Sequence, residues 1–152
     1  YTMGHRNVQG LAWDGSGAMY GVEFGQSRFD EVNLIQPGRN YGWPVVEGRG
    51  DTDGGRFTNP LVTWTTDEAS PSGAAVIGQT LYVAALQGER LWAVPITGPG
   101  RLGEPVPRLV GAYGRLRTVA EGPDGALWLT TSNTSRGEPR AGDDHVYRFP
   151  VA

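Results

Sequence analysis

The stretch "TVAEGPDGALWLTTS", Thr118 to Ser132, decides the fold. A short run around Val119 meets the turn Gly122-Pro123-Asp124-Gly125, and a second run centred on Trp128 leaves it. Asp-Gly between two such runs signals a β-hairpin, because the glycine accepts the positive φ that a tight turn requires. Further out, the design recurs twice. "GLAWDGSGAMYGVEF" (Gly10 to Phe24) is followed by "DEVNLI", and "GAAVIGQTLYVAALQGERLWAVPI" runs from Gly73 to Ile96. After a polar loop, the opening stretch acquires its own third strand in "DHVYRFP". Each unit is an antiparallel meander with an aromatic residue in its second strand, namely Tyr20, Tyr82 and Trp128. The first interval between these aromatics is the longer, and "QPGRNYGWPVVEGRGDTDGGRFTNPLVTW" (Gln36 to Trp64) accounts for the excess as an insertion.

Repeats of about 40–50 residues, each a small sheet, are the signature of propeller blades. The fold class is therefore all-β: a β-propeller with about three four-stranded antiparallel blades. The units are placed at about 7–37, 60–98 and 107–150, with the insertion at about 37–60, in a single partial domain over 1–152. Three blades do not close a ring, since propellers typically have at least four. The sequence also begins in mid-motif, so the expectation is the back portion of a longer protein.

Composition agrees with this class. The 24 glycines, 11 prolines, 5 tryptophans and 6 tyrosines among 152 residues favour short strands joined by tight turns. A net charge of −3 leaves no basic footprint for nucleic acid. With no cysteine there is no disulfide, thiolate metal site or cysteine nucleophile. No apolar run reaches the roughly 18 residues of a membrane span, and "YTMGHRN" lacks the pattern of a signal peptide.

The segments "YTMGHRNVQGLAWD", "DEVNLIQPGRNYGWPVVEG", "SPSG", "LYVAALQGERLWAV" and "GRLRTVAEGPDGALWLTTS", in this order, resemble the C-terminal half of the soluble glucose and aldose sugar dehydrogenases that depend on pyrroloquinoline quinone (PQQ). The resemblance covers nearly the whole chain. It implies the last three blades of a six-bladed propeller and the oxidation of an aldose sugar to its lactone by hydride transfer to PQQ. It also implies a calcium ion (Ca2+) against the quinone, an external electron acceptor and a periplasmic or secreted location. The missing N-terminal blades of the same protein would be a partner, and without them the chain is expected to be inactive.

PQQ is a flat tricarboxylate with an ortho-quinone, so its site needs cationic forks and hydrogen-bond donors, and arginine provides both. Arg115 and Arg117 stand two apart in "GRLRTV", so on a strand they share one face while Leu116 takes the other. By resemblance they grip the cofactor carboxylates; from the residues alone a solvated edge is the default reading, since exposed charge is usual for arginine. Arg6 and Asn7 match the residues that contact the quinone oxygens, and Arg6 would polarise the carbonyl that accepts hydride. His5 and Gln9 beside them are read as orienting neighbours or facing solvent. Gly25 and Gln26 match the pair whose backbone carbonyls bind calcium, a hard cation suited to oxygen ligands. Asp30 would hold that loop or the metal's charge, unless it is only a turn aspartate.

Two positions depart from the family pattern. Gln26 stands where proline is common. Gln87 stands where the glucose enzymes carry a lysine that reaches the cofactor, which predicts weaker binding unless Arg90 compensates. Glu89 and Arg90 also read as an ordinary exposed pair. Asp51 and Asp53 in "DTDGGRF" lack the terminal Glu of an EF-hand, and "NTS" at Asn133 is a glycan acceptor pattern only in an exported protein. Tyr41 and Trp43 are candidates for the cleft wall. The family's general base, a histidine, belongs to the first half of the family chain, and His145 does not match it. Two other readings compete: a propeller binding module that has lost its cofactor, and a gluconolactonase-type hydrolase, for which no ring of carboxylates and amides is evident.

Overall fold

The Asp-Gly and Gly-rich turns read from the sequence close hairpins in the computed structural model, which describes residues 1–150. In the first sheet, β1 (Val8–Trp13), β2 (Met19–Glu23), β3 (Phe29–Ile35) and β4 (Val62–Thr65) lie in that order, all antiparallel. The second contains β5 (Pro71–Ile77), β6 (Thr80–Ala85) and β7 (Arg90–Gly98). Its outer side is made by β8 (Arg101–Leu102) and β9 (Val106–Arg108), both paired with β7. The third runs β10 (Leu116–Glu121), β11 (Leu127–Thr131) and β12 (Val146–Phe149), with the one-turn helix α1 (Asn133–Arg136) between the last two.

In each of the three units an alanine of the first strand pairs with the central aromatic of the second. Ala12 pairs with Tyr20, Ala75 with Tyr82 and Ala120 with Trp128. Just before each pair the first strand slips, between Val8 and Gly10, Pro71 and Ala74, and Leu116 and Thr118. Such irregularities bend a strand and re-aim the residues beside them. Here they fall at the ends that carry "RN", "SPSG" and "GRLR".

Unit boundaries differ from the sequence expectation. Val62–Thr65 closes the first sheet rather than opening the second, and Val106–Arg108 closes the second rather than opening the third. The third sheet consequently has three strands among the described residues, not four. Both displaced strands are shorter than a typical strand and follow irregular chain, so their periodicity is too brief to register. Trp64 of β4 still marks its place by stacking on Trp92 of β7, with ring centroids 5.2 Å apart.

Glycine sets the spacing between sheets. A Cβ on Gly10 would lie 2.6 Å from the Ser72 carbonyl oxygen, and one on Gly73 would lie 2.8 Å from the Thr118 Cα. Without side chains there, β1, β5 and β10 pack side by side as the inner strands of a fan. One apolar core, including Tyr20, Val22, Leu81 and Val83, fills the space between the first and second sheets. Another, including Ile77, Leu91, Val119 and Leu129, fills the space between the second and third.

The first hairpin also contains a polar lock. Asp14 accepts hydrogen bonds from the Ser16 N–H and hydroxyl and from the buried Tyr20 hydroxyl. Asp14 is thereby lowered to about 2, chiefly through the Ser16 hydroxyl, and Tyr20 is raised to about 12, chiefly by burial. A lowered carboxylate stabilises the fold above its unfolded pKa near 3.8 and loses that contribution as pH falls through 2. A raised phenol stabilises below its unfolded value near 10 and loses it as pH rises through 12. Urea unfolding as a function of pH should therefore show Asp14→Asn removing part of the acid-side loss, and Tyr20→Phe part of the alkaline-side loss.

Candidate functional site

One end of the fan gathers the polar residues singled out from the sequence. Asp30, at the start of β3, is the tie. One of its oxygens accepts the Gly25 N–H at 2.9 Å and the other the Ser70 N–H at 2.6 Å, which brings the β2–β3 loop to the head of β5. Burial raises the Asp30 pKa, and these two N–H groups and the Arg6 charge work against that rise. Both its oxygens are occupied by backbone, so Asp30 holds the loop rather than presenting a free carboxylate.

Arg6 and Asn7 precede β1 and are pinned from beneath. Glu23, only 3% exposed, accepts both of their backbone N–H groups through Oε2, at 2.9 and 3.2 Å. Its Oε1 faces His5 Nδ1 at 3.0 Å and accepts from the buried Asn33 amide at 2.9 Å. The same amide donates to Glu31, and Glu31 in turn accepts the Gly48 N–H. Burial, with smaller repulsion from Glu23 and Glu47, raises the Glu31 pKa. His5 stacks on Tyr41, ring centroids 4.6 Å apart, and its Nε2 lies 2.9 Å from the Thr2 hydroxyl. His5 and Gln9 thus orient neighbours, Gln9 by donating to the Asn7 side chain.

The Arg6 side chain crosses to the neighbouring loop. Its Nε donates to the Gln26 side chain at 2.9 Å, and a terminal nitrogen donates to the Phe24 carbonyl at 3.2 Å. Its guanidinium lies 5.9 Å from the centre of the Trp43 ring, which places Trp43 of the insertion at this site. Gln26, the departure from proline, is therefore a partner of Arg6.

Gly25 has no room for a side chain, since a Cβ would fall 1.7 Å from the Phe29 carbonyl oxygen. Beyond it, the successive N–H groups of Ser27, Arg28 and Phe29 all converge on Glu47 Oε1, at 2.9, 2.8 and 3.1 Å. Burial alone would raise the Glu47 pKa, but these donors bring it below the usual range and keep the carboxylate charged. Glu47 comes from the insertion, which thus helps to build the site. Among the described residues the carbonyl oxygens of Gly25 and Gln26 accept no hydrogen bond, and no group of three or more acidic or histidine side chains forms a metal cage.

Arg115 stands just before β10 and Arg117 within it, with Leu116 fully buried between them. Asn133, 2% exposed, accepts the Arg115 N–H at 2.8 Å, and the Ser132 N–H donates to the Arg115 carbonyl. Asp143 and Asp144 hold Asn133 through its amide and its backbone N–H. The acceptor pattern at Asn133 therefore marks a buried support for Arg115 and not an accessible glycan site. The Arg115 Nε is buried with no hydrogen-bond partner. Burial, and then the nearby Arg117 charge, lower its pKa.

Gln87 is exposed in the β6–β7 turn. Arg90 is not placed to compensate for it: its Nε donates to the Gly88 carbonyl and its guanidinium lies over Trp92. Glu89 and Arg90 form no ion pair with each other among the described residues. Asp51 and Asp53 stay within their own loop, Asp53 pairing with Arg56 at 3.3 Å. His145 lies 3.6 Å from Asp143.

Sequence reasoning missed Glu23, Glu47 and Asn33. A carboxylate inside the apolar run "YGVEF" was the available signal for Glu23, because buried charge requires partners. Nothing local marked Glu47.

The family model described as Glucose / Sorbosone dehydrogenase matches residues 1–138. Among solved structures, the PQQ-bound aldose sugar dehydrogenase of Streptomyces coelicolor is 51% identical with a TM-score of 0.90, over 97% of this chain and 44% of that one. An oxidoreductase described as a glucose dehydrogenase from Thermus thermophilus is 44% identical with a TM-score of 0.89, over 99% of this chain and 47% of that one. Aldose sugar dehydrogenase YliI of Escherichia coli K12 is 30% identical over 89% of this chain and 41% of its own length. The chain therefore spans less than half the length of these relatives. With a family match over most of its residues and a fold shared with these dehydrogenases, the chain belongs to the glucose/sorbosone dehydrogenase family.

Proposed function

We propose that this chain forms three consecutive sheets of a six-bladed aldose dehydrogenase and supplies one side of its PQQ site. The observation that carries the proposal is the buried, unpartnered Nε of Arg115 beside Arg117, at the same end of the fan as Arg6 and Asn7. A buried donor without an acceptor is costly, so a site of this kind is built for an anion that completes it. The half-exposed face of β1, with Leu11 47% and Trp13 55% exposed, suits packing against a preceding sheet.

When bound, PQQ would accept the hydride from the anomeric carbon of an aldose, whose hydroxyl proton goes to a base on the remaining sheets, leaving the lactone. The residues of this chain prepare that event. Arg115 and Arg117 offer guanidinium forks to carboxylates. Arg6, braced on Trp43 and Gln26, would supply positive charge beside a bound quinone as it gains electron density, which would favour the transition state more than the ground state. The free carbonyls of Gly25 and Gln26 fit a calcium ion, held by a loop that Asp30 and Glu47 fix. No helix among the described residues is long and apolar enough to cross a membrane, and a periplasmic setting is part of this reading.

The test is a hybrid in which this chain replaces the matching segment of the Streptomyces relative. Expected are stoichiometric PQQ binding and dye-linked oxidation of an aldose. A folded hybrid that binds no PQQ would instead favour the module that has lost its cofactor. Within the hybrid, Arg115→Ala or Arg117→Ala should each weaken PQQ binding by about 1.5–3 kcal/mol, the worth of a hydrogen bond to a charged group. Arg6→Ala should lower turnover more than affinity, and separate titrations of bound quinone and activity distinguish the two effects.

A further inference from the structure

Arg136 is the last residue of α1, and α1 is folded around Arg115. The Ser132 N–H donates to the Arg115 carbonyl, Asn133 accepts the Arg115 N–H, and the Arg115 Cδ lies 2.7 Å from where a Cβ on Gly137 would be. The Arg115 side chain therefore runs across the backbone immediately after Arg136. The charges of Arg117 and Arg136 both bear on Arg115, with Glu89 the acid that opposes them.

None of these three guanidinium groups donates a hydrogen bond or enters an ion pair among the described residues. Nearby Arg140 shows the contrast, its side chain donating to the Gly111 and Ala112 carbonyls at 3.0 and 2.5 Å. Three like charges kept together without acceptors repel one another, and an anion with several negative groups relieves all three at once.

We infer that Arg136 is the third cation of a polyanion site with Arg115 and Arg117, and that it contacts a carboxylate of the flat tricarboxylate bound there. The inference rests on the function proposed above and extends it to a residue outside the motif "GRLR". It also replaces the charge that Gln87 does not supply. Arg136 is exposed and its side chain makes no internal hydrogen bond, so its removal leaves the fold intact.

The experiment titrates the hybrid described above with PQQ and with benzene-1,2,4-tricarboxylate, a flat tricarboxylate that lacks the quinone, followed by tryptophan fluorescence. Arg136→Gln should weaken both ligands about 10-fold, the lower end for a charge-assisted hydrogen bond at an exposed position. Arg136→Lys should recover most of that loss, Arg39→Gln on the insertion should leave binding unchanged, and added salt should shrink the difference. If Arg136→Gln binds both ligands like the unsubstituted hybrid while Arg115→Gln does not, the role of Arg136 is overturned and the cofactor reading stands. If the unsubstituted hybrid folds but binds neither ligand, the cofactor reading falls and the role of Arg136 with it.

Discussion

Gly73→Val should cost about 3 kcal/mol or more of stability and open the seam between the second and third sheets. A Cβ at this position meets the Thr118 Cα at 2.8 Å, the Val119 nitrogen at 2.9 Å and the Arg117 oxygen at 3.0 Å, all of them backbone. A crowded side chain can change rotamer, but a strand backbone must move as a unit. Overpacking a core ordinarily costs about 1–3 kcal/mol, and valine adds two methyl groups to a contact already too close for one carbon. Moving β10 away would also loosen Leu116, Val119 and Leu129 from Ile77 and Leu91, at about 1.5–3 kcal/mol for each large side chain returned to water. Gly15→Ala is the control, since it has no heavy atom within 4 Å and its φ lies outside the positive region. Urea unfolding followed by tryptophan fluorescence should show a large shift for the first substitution and almost none for the second. Equal midpoints would mean that the sheets are not set by this contact.

The same seam explains which parts of the molecule were legible in the sequence. Hairpins announce themselves locally: Asp-Gly and Gly-Gln turns between alternating runs gave the first three strands of each sheet to within a few residues. Arg6, Asn7, Arg115 and Arg117 were singled out one by one, by resemblance to the family's motifs. What could not be read is the set of long-range supports. Glu47 meets Ser27–Phe29 across some 20 positions, and Asn133 reaches Arg115 across 18. A side chain that accepts backbone N–H groups leaves no periodic trace, because backbone donors are the same in every sequence. For the same reason the insertion offered Tyr41 and Trp43 as cleft-wall candidates but gave no sign of Glu47, whose partners are backbone N–H groups.

Removing one such support should have the second large effect. Glu23→Ala is expected to destabilise the chain by about 3–5 kcal/mol, the range for deleting one member of a buried charged network. Four donors lose their acceptor at once: the N–H groups of Arg6 and Asn7, the Asn33 amide and His5. Water cannot readily replace the carboxylate, because Glu23 lies beneath the loop and Asn33 is 1% exposed. Glu23→Gln keeps the shape, but its amide turns a donor toward groups that are themselves donors, so it should recover only part of the loss. Hydrogen exchange separates a local role from a global one. Under native conditions the Arg6 and Asn7 amides should exchange at least about 10-fold faster in Glu23→Gln, while amides in β6 and β11 keep their protection. Unchanged protection at Arg6 and Asn7 would show that another group fixes the turn. Faster exchange there, with PQQ affinity falling in parallel, would tie the carboxylate to the site, because in the proposed function Arg6 would have to be fixed by its backbone before the ligand arrives.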